Sequence, residues 1–124
     1  MTTQQADIAD LRARNRSVVE DYMKREGAER LTRYMLYTED GTGGLHTGLD
    51  GEPQLATGRT ALKEWCERVG KIFPDWKFTN IAIFDTQDPN QFRVECDGKE
   101  NMKHPNIENG YYRNHFVHSF YIEN

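Results

Sequence analysis

Between residues 7 and 25 the apolar side chains fall at Ile8, Leu11, Val18, Val19 and Tyr22, with charged residues filling the positions between them. That spacing predicts an amphipathic helix whose inner stripe is interrupted by the polar Asn15. Gly27 ends the helix or makes a short joint. The run "AERLTRYMLY" predicts a second, shorter helix with Leu31, Met35 and Tyr34 turned inward. Next comes "EDGTGGLHTGLDGEP", with five glycines and one proline in 15 residues. It predicts turns and loop, with a small hairpin around "LHT" and "QLAT". In "ALKEWCERVGKIFPDW", Leu62, Trp65, Cys66, Val69 and Ile72 share one stripe. A third helix is expected there, stopped before Pro74, whose ring cannot continue it.

Beyond Trp76 the period changes. "WKFTNIAIFD", "QFRVECDG" and "YYRNHFVHSFYIE" are rich in β-branched and aromatic residues and predict strands. "TQDPN" between the first two is a turn, set by Asp88 before Pro89 and by Asn90. Helices followed by an antiparallel sheet define an α+β class in a single domain spanning 1–124. A curved sheet wrapped around the helices, with a cavity between, is one packing that satisfies this order.

Composition narrows the class. A mean hydropathy of -0.88 marks a polar chain, but six Phe, six Tyr and two Trp supply large apolar surfaces to bury. The net charge of -4 is spread along the chain rather than blocked, and no basic stripe matches a phosphate backbone. Nucleic acid is therefore not an expected partner. The densest basic stretch, "RARNR" at 12–16, reads as a solvated helix face. No apolar run approaches the roughly 20 residues that span a bilayer. The N-terminus lacks the charged and apolar regions of a secretory leader. Two cysteines, Cys66 and Cys96, are too few for a disulfide framework, so free thiols in the cytoplasm are expected.

Five segments taken together resemble the phenazine biosynthesis A/B proteins. They are "RNRSVVEDYM" (14–23), "GAERLTRYMLYTEDGTGGL" (27–45), "FPDW" (73–76), "IFDTQDPNQFRVECDG" (83–98) and "YYRNHFVHSF" (111–120). The resemblance implies a ketosteroid-isomerase-like (SnoaL-like) fold, a cone of bent antiparallel sheet packed on three N-terminal helices. It implies a homodimer, or a heterodimer with a paralogous copy. The implied activity is condensation of two aminocyclohexenone carboxylates into the tricyclic phenazine precursor. Each amine attacks the other ring's ketone, imines form and water leaves, without metal or organic cofactor.

That chemistry needs a cation for the substrate carboxylates, an acid for the leaving hydroxyl and a base for the amine proton. The family's arginine in the second helix falls on Arg33; a carboxylate clamp and a plain surface arginine both fit the residue itself. The family's acid–base histidine lies on the helix before "FPDW", and the interval from "GR" places Trp65 there. An indole N–H cannot shuttle protons near neutral pH. A serine one turn later in the family corresponds to Val69. The family's second acid–base group, a glutamate, lies on a final strand that would begin beyond Asn124; that strand is expected to be missing, and Glu123 is not its equivalent.

His118 is the best surviving titratable group, either catalytic or a hydrogen-bonded core histidine. Strand alternation places it on one face with Tyr112, Asn114, Phe116 and Phe120, the face expected to line the cavity. Trp65, Val69, Trp76, Tyr112 and Phe116 are the expected pocket walls beside Arg33. His115 points to the opposite face, so the two histidines are not expected to share a metal. His46 in the glycine-rich loop and His104 in a polar loop read as solvated, and Cys66 as an inert thiol. Two functions follow: a phenazine-pathway condensation protein with weakened acid–base catalysis, or a non-catalytic binder or heterodimer partner.

Overall fold

The computed structural model describes residues 2–45, 51–104 and 107–123, with only the backbone described for 101–104 and 107–112. These residues form helix α1 (Thr3–Lys24), a 3-10 helix (Gly27–Leu36), strands β1 (Thr42–Leu45) and β2 (Gln54–Thr57), helix α2 (Arg59–Ile72), and strands β3 (Phe78–Asp85), β4 (Gln91–His104) and β5 (Ile107–Tyr121). The order is the predicted α+β one. The chain divides into two compact units, Met1–Arg25, Lys77–Glu100 and Tyr111–Asn124 in the first, Glu26–Trp76 and Asn101–Gly110 in the second.

In the first unit α1 starts earlier than its apolar pattern, because Thr2 and Gln5 form a reciprocal capping box. Its buried residues are Asn15, Val19 and Met23, one turn apart each time. Ile8 and Val18, expected inside, are exposed instead, and the supposed interruption Asn15 is the pivot. Its amide donates to the Pro89 carbonyl and to Asn90 Oδ1, both at 2.9 Å. Arg12 donates to the carbonyls of Thr86 and Gln87, and Arg16 to Asp85 and the Ile83 carbonyl. The "RARNR" stretch is thus not simply a solvated face. The β3–β4 turn presents carbonyls that have no ladder partner, and these side chains supply the donors.

β3, β4 and β5 form one sheet in that order, with β3 antiparallel to β4. Thr79 opposes Asp97 and Ala82 opposes Glu95, so Asn80 and Ile81 share the space opposite Cys96. This bulge corrects the parity of β3. Phe78 faces inward, and so do Ile81 and Ile83, which simple alternation from Phe78 would not allow. Asn80 takes the left-handed conformation (φ 52°) that the extra residue requires. Val19, Met23, Phe92, Val94 and Cys96 form the core of this unit, ringed by Tyr22, Phe78, Ile81, Ile83, Phe116, Phe120 and Ile122. The predicted turn holds: Asp88 Oδ1 accepts from the Asn90 backbone N–H at 2.8 Å.

In the second unit the expected helix at 28–37 is a 3-10 helix, and the difference moves its buried face. At three residues per turn Arg30, Arg33 and Leu36 line up, and Arg30 is buried while Leu31 and Met35 are 40% and 60% exposed. The inward placement of Leu31 and Met35 assumed 3.6 residues per turn. Leu31 still leans on α2 at Gly70, where a Cβ would lie 2.8 Å from its Cδ2. The hairpin pairs Thr42–Leu45 with Gln54–Thr57, three residues earlier on its first strand than expected. Gly43 lies beneath the Tyr37 ring, so close that any side chain there would overlap the phenol. α2 ends at Ile72 as predicted, and "FPDW" closes as a turn with the Trp76 N–H directed at the Phe73 carbonyl.

Candidate functional site

The sequence-predicted site residues fall in both units. In the second, α2 presents Leu62, Trp65, Cys66, Val69 and Ile72 on its inner stripe, with Leu62 buried and the others half-buried. Arg33 is half-buried on the facing stripe of the 3-10 helix. Arg30, one 3-10 turn earlier, is buried and donates from Nη1 to the Pro74 carbonyl at 3.0 Å. That bond ties the 3-10 helix to the "FPDW" turn. Trp76 is buried, its ring 4.9 Å from that of Phe73.

Cys66 brings these groups into one electrostatic neighbourhood. Burial pushes its thiol above the ordinary value, while a backbone hydrogen bond from Tyr34 and the guanidinium charges of Arg33 and Arg30 pull the other way. Burial wins, which keeps the sulfur protonated and a poor nucleophile at neutral pH. Trp65 carries Arg68 beside its ring, Cζ to centroid 5.8 Å. A contact of this kind is worth about 0.5–1 kcal/mol at an exposed position. An open recess of about 560 Å³ at the start of α2 is lined by Glu39, Thr57, Gly58, Arg59, Thr60, Ala61 and Glu64. It contains none of the predicted site residues, and it is too open to dry a reaction.

In the first unit Phe116, His118 and Phe120 form an inward row on β5, as the alternation predicts. His118 is half-buried, its ring 5.1 Å from Phe78 edge-on and stacked on Phe116 at 5.8 Å with an 8° interplanar angle. Phe120 meets Tyr22 edge-on at 5.3 Å. Asn114, expected in the same row, is exposed, and its Oδ1 accepts from the His115 N–H at 2.8 Å. The side chain of Tyr112 lies outside the described residues, as does His46. His104 is the last residue of β4 rather than part of a loop, and its side chain is likewise outside the description.

His115 points away from the aromatic row, as expected, and makes an unforeseen contact. Its Nδ1 lies 2.7 Å from Asp97 Oδ1 on β4, and Asn80 Nδ2 donates to Asp97 Oδ2 at 2.9 Å from the β3 bulge. Hydrogen bonds from Asn80 and then His115 hold Asp97 below its ordinary value, and Asp97 raises His115. Among the described residues no group of three or more His, Cys, Asp or Glu is placed to hold a metal. None of the described helices is long and apolar enough to cross a membrane.

Sequence reasoning missed Arg30 and the Asn80–Asp97–His115 network. A period-three count across "GAERLTRYML" would have exposed the first; the second depends on a bulge that no local pattern announces.

Helical segments followed by antiparallel strands define an α+β architecture. The sequence profile of the family described as "Phenazine biosynthesis protein A/B" matches residues 2–124, and the chain belongs to that family. It is 47% identical over 118 residues to phenazine biosynthesis protein PhzA2 of Pseudomonas aeruginosa, covering 95% of this chain and 73% of that one. It is 48% identical over 117 residues to PhzB1 of the same species, covering 94% and 72%. The crystal structure of a phenazine biosynthesis-related protein (PhzB2) from Pseudomonas aeruginosa superposes with a TM-score of 0.90 at 45% identity, covering 95% of this chain and 77% of that one.

Proposed function

We propose that the chain serves phenazine biosynthesis by holding the aminocyclohexenone carboxylates that condense into the tricyclic precursor, with acid–base catalysis weakened or lost. The indole at residue 65 carries this reading. It occupies the helix position where the family resemblance places an acid–base histidine, and it has no proton to exchange near neutral pH. Arg33 holds a substrate carboxylate, the role its fork-shaped guanidinium suits best. Trp65 and Val69 supply apolar wall beside Arg33 in the second unit. Positioning two reactive rings accelerates their coupling without proton transfer, since effective molarities are large. No cofactor enters this reading, and the cytoplasm is its compartment.

The test mixes purified protein with the aminocyclohexenone carboxylate, or a stable analogue, and follows binding and tricycle formation separately. Arg33→Ala is expected to weaken binding at least tenfold, since a charge-assisted hydrogen bond contributes about 1.5–3 kcal/mol. Unchanged affinity in that variant would remove Arg33 from the site. Absence of binding by the parent protein would remove this substrate altogether. A pure binder, or the partner of a more complete copy, is distinguished by binding with no rate above buffer.

A second subunit, either the same chain or a paralogous copy, is part of the proposal. Among the described residues β5 is an edge strand of its sheet, with Val117 and Tyr121 exposed along it. Exposed apolar edges invite pairing or aggregation unless covered. Light scattering at micromolar concentration is expected to report a dimer; a monodisperse monomer, alone and with a paralogue, would count against it.

A further inference from the structure

We propose that Asn80, Asp97 and His115 are positioning residues: a three-strand clasp on one face of the sheet that sets the Phe116–His118 row on the other. Three observations converge. The bulge places Asn80 in a left-handed conformation, at a backbone cost, and its amide there reaches Asp97 Oδ2 at 2.9 Å. Asp97 is then bonded on its other oxygen to His115 Nδ1 at 2.7 Å, so one carboxylate joins β3, β4 and β5. Among the described residues β5 has β4 as its only strand neighbour in this sheet, so lateral ties to β4 decide where it lies.

His115 brackets the aromatic row in sequence. Phe116 follows it directly, and His118 is three residues on, both turned to the opposite face against Phe78. A strand moves as a unit over so short a distance, so loosening His115 from Asp97 shifts both rings relative to Phe78. The charged groups acting on the clasp are Glu95 and Asp97 on β4 and Arg113 on β5, with the neutral Asn80 on β3. Asp97 raises His115 above its ordinary 6.5, and Asn80 and His115 lower Asp97 below its ordinary 3.8. The clasp is therefore at full strength between those two ordinary values. It weakens as pH rises through the raised value of His115, and again as pH falls through the lowered value of Asp97.

Proton NMR of the histidine ring signals of the whole chain tests this without substrate. The His118 signal is expected to show an inflection coincident with the His115 titration, because ring-current shifts from Phe78 and Phe116 report small displacements. His115→Gln is expected to abolish that inflection. Asp97→Asn, which keeps size and an acceptor oxygen, is expected to move the His115 titration and the coupled inflection together to lower pH. The proposal is overturned if the His118 signal shows no inflection at the His115 titration, or if that inflection survives His115→Gln. It is equally overturned if Asp97→Asn moves one transition without the other, an outcome available even where the glutamine variant does not fold.

Discussion

Truncating Phe92 to alanine is expected to lower the unfolding free energy by about 3–5 kcal/mol, a large share of what holds a chain of this size folded. Phe92 is completely buried, in a core with Val19, Met23, Val94 and Cys96. It opposes Asp85 at the last observed pair of the β3–β4 ladder, beside the turn that Asn15 and Arg12 secure. The surrounding side chains come from α1 and three strands, and α1 cannot move into the gap without disturbing its hydrogen bonds to that turn. The cost therefore combines lost transfer energy with a persistent cavity. Urea unfolding followed by fluorescence measures it, with Val117→Ala as the exposed control expected to change stability by no more than about 0.5 kcal/mol. A Phe92→Ala loss near 1 kcal/mol would show that the core repacks and that α1 is not fixed by the turn.

The legible parts of the fold were those where one strong local signal acted alone. The stop at Pro74, the Asp88–Pro89–Asn90 turn and the alternation of Phe116, His118 and Phe120 along β5 each follow from local geometry, and each appears where expected. Asn15 was misread because hydropathy scores a residue without its partners. A buried asparagine is favourable once two acceptors from a distant turn meet its amide, and those acceptors lie 74 and 75 residues away. The 3-10 helix was missed because Leu31 and Met35 satisfy a 3.6-residue period, while tertiary packing selected a three-residue one that buries Arg30. β4 and β5 run further than predicted, because "KENMKH" and "IENG" lack strand propensity yet lie in strands that neighbour one another in the sheet. On α2, residue types and spacing place Trp65, Cys66 and Val69 on the stripe that is half-buried in the structure. The same reasoning had no means of finding Asp97 beside His115, since that contact depends on cross-strand register.

Trp65→His is expected to raise the rate of tricycle formation by about 10²-fold, the low end of what a positioned acid–base group contributes. The imidazole would stand on the half-buried stripe of α2, at the position that the family resemblance assigns to proton transfer. Arg68 explains why the low end applies. Its guanidinium lies 5.8 Å from the indole centroid, and a cation at that range disfavours an imidazolium, as does partial burial. The new histidine is thus held neutral to a lower pH than an isolated one, so it is a weaker base for the amine proton and seldom carries a proton to the leaving hydroxyl. Removing that charge in Trp65→His/Arg68→Ala is expected to raise the histidine's titration point and to move the rate maximum to higher pH. The measurement is the initial rate of tricycle formation across pH, compared with buffer and with the parent chain, with analogue affinity measured alongside. A variant that binds the analogue as well as the parent yet gains no rate would mean that the indole is not what limits this chain.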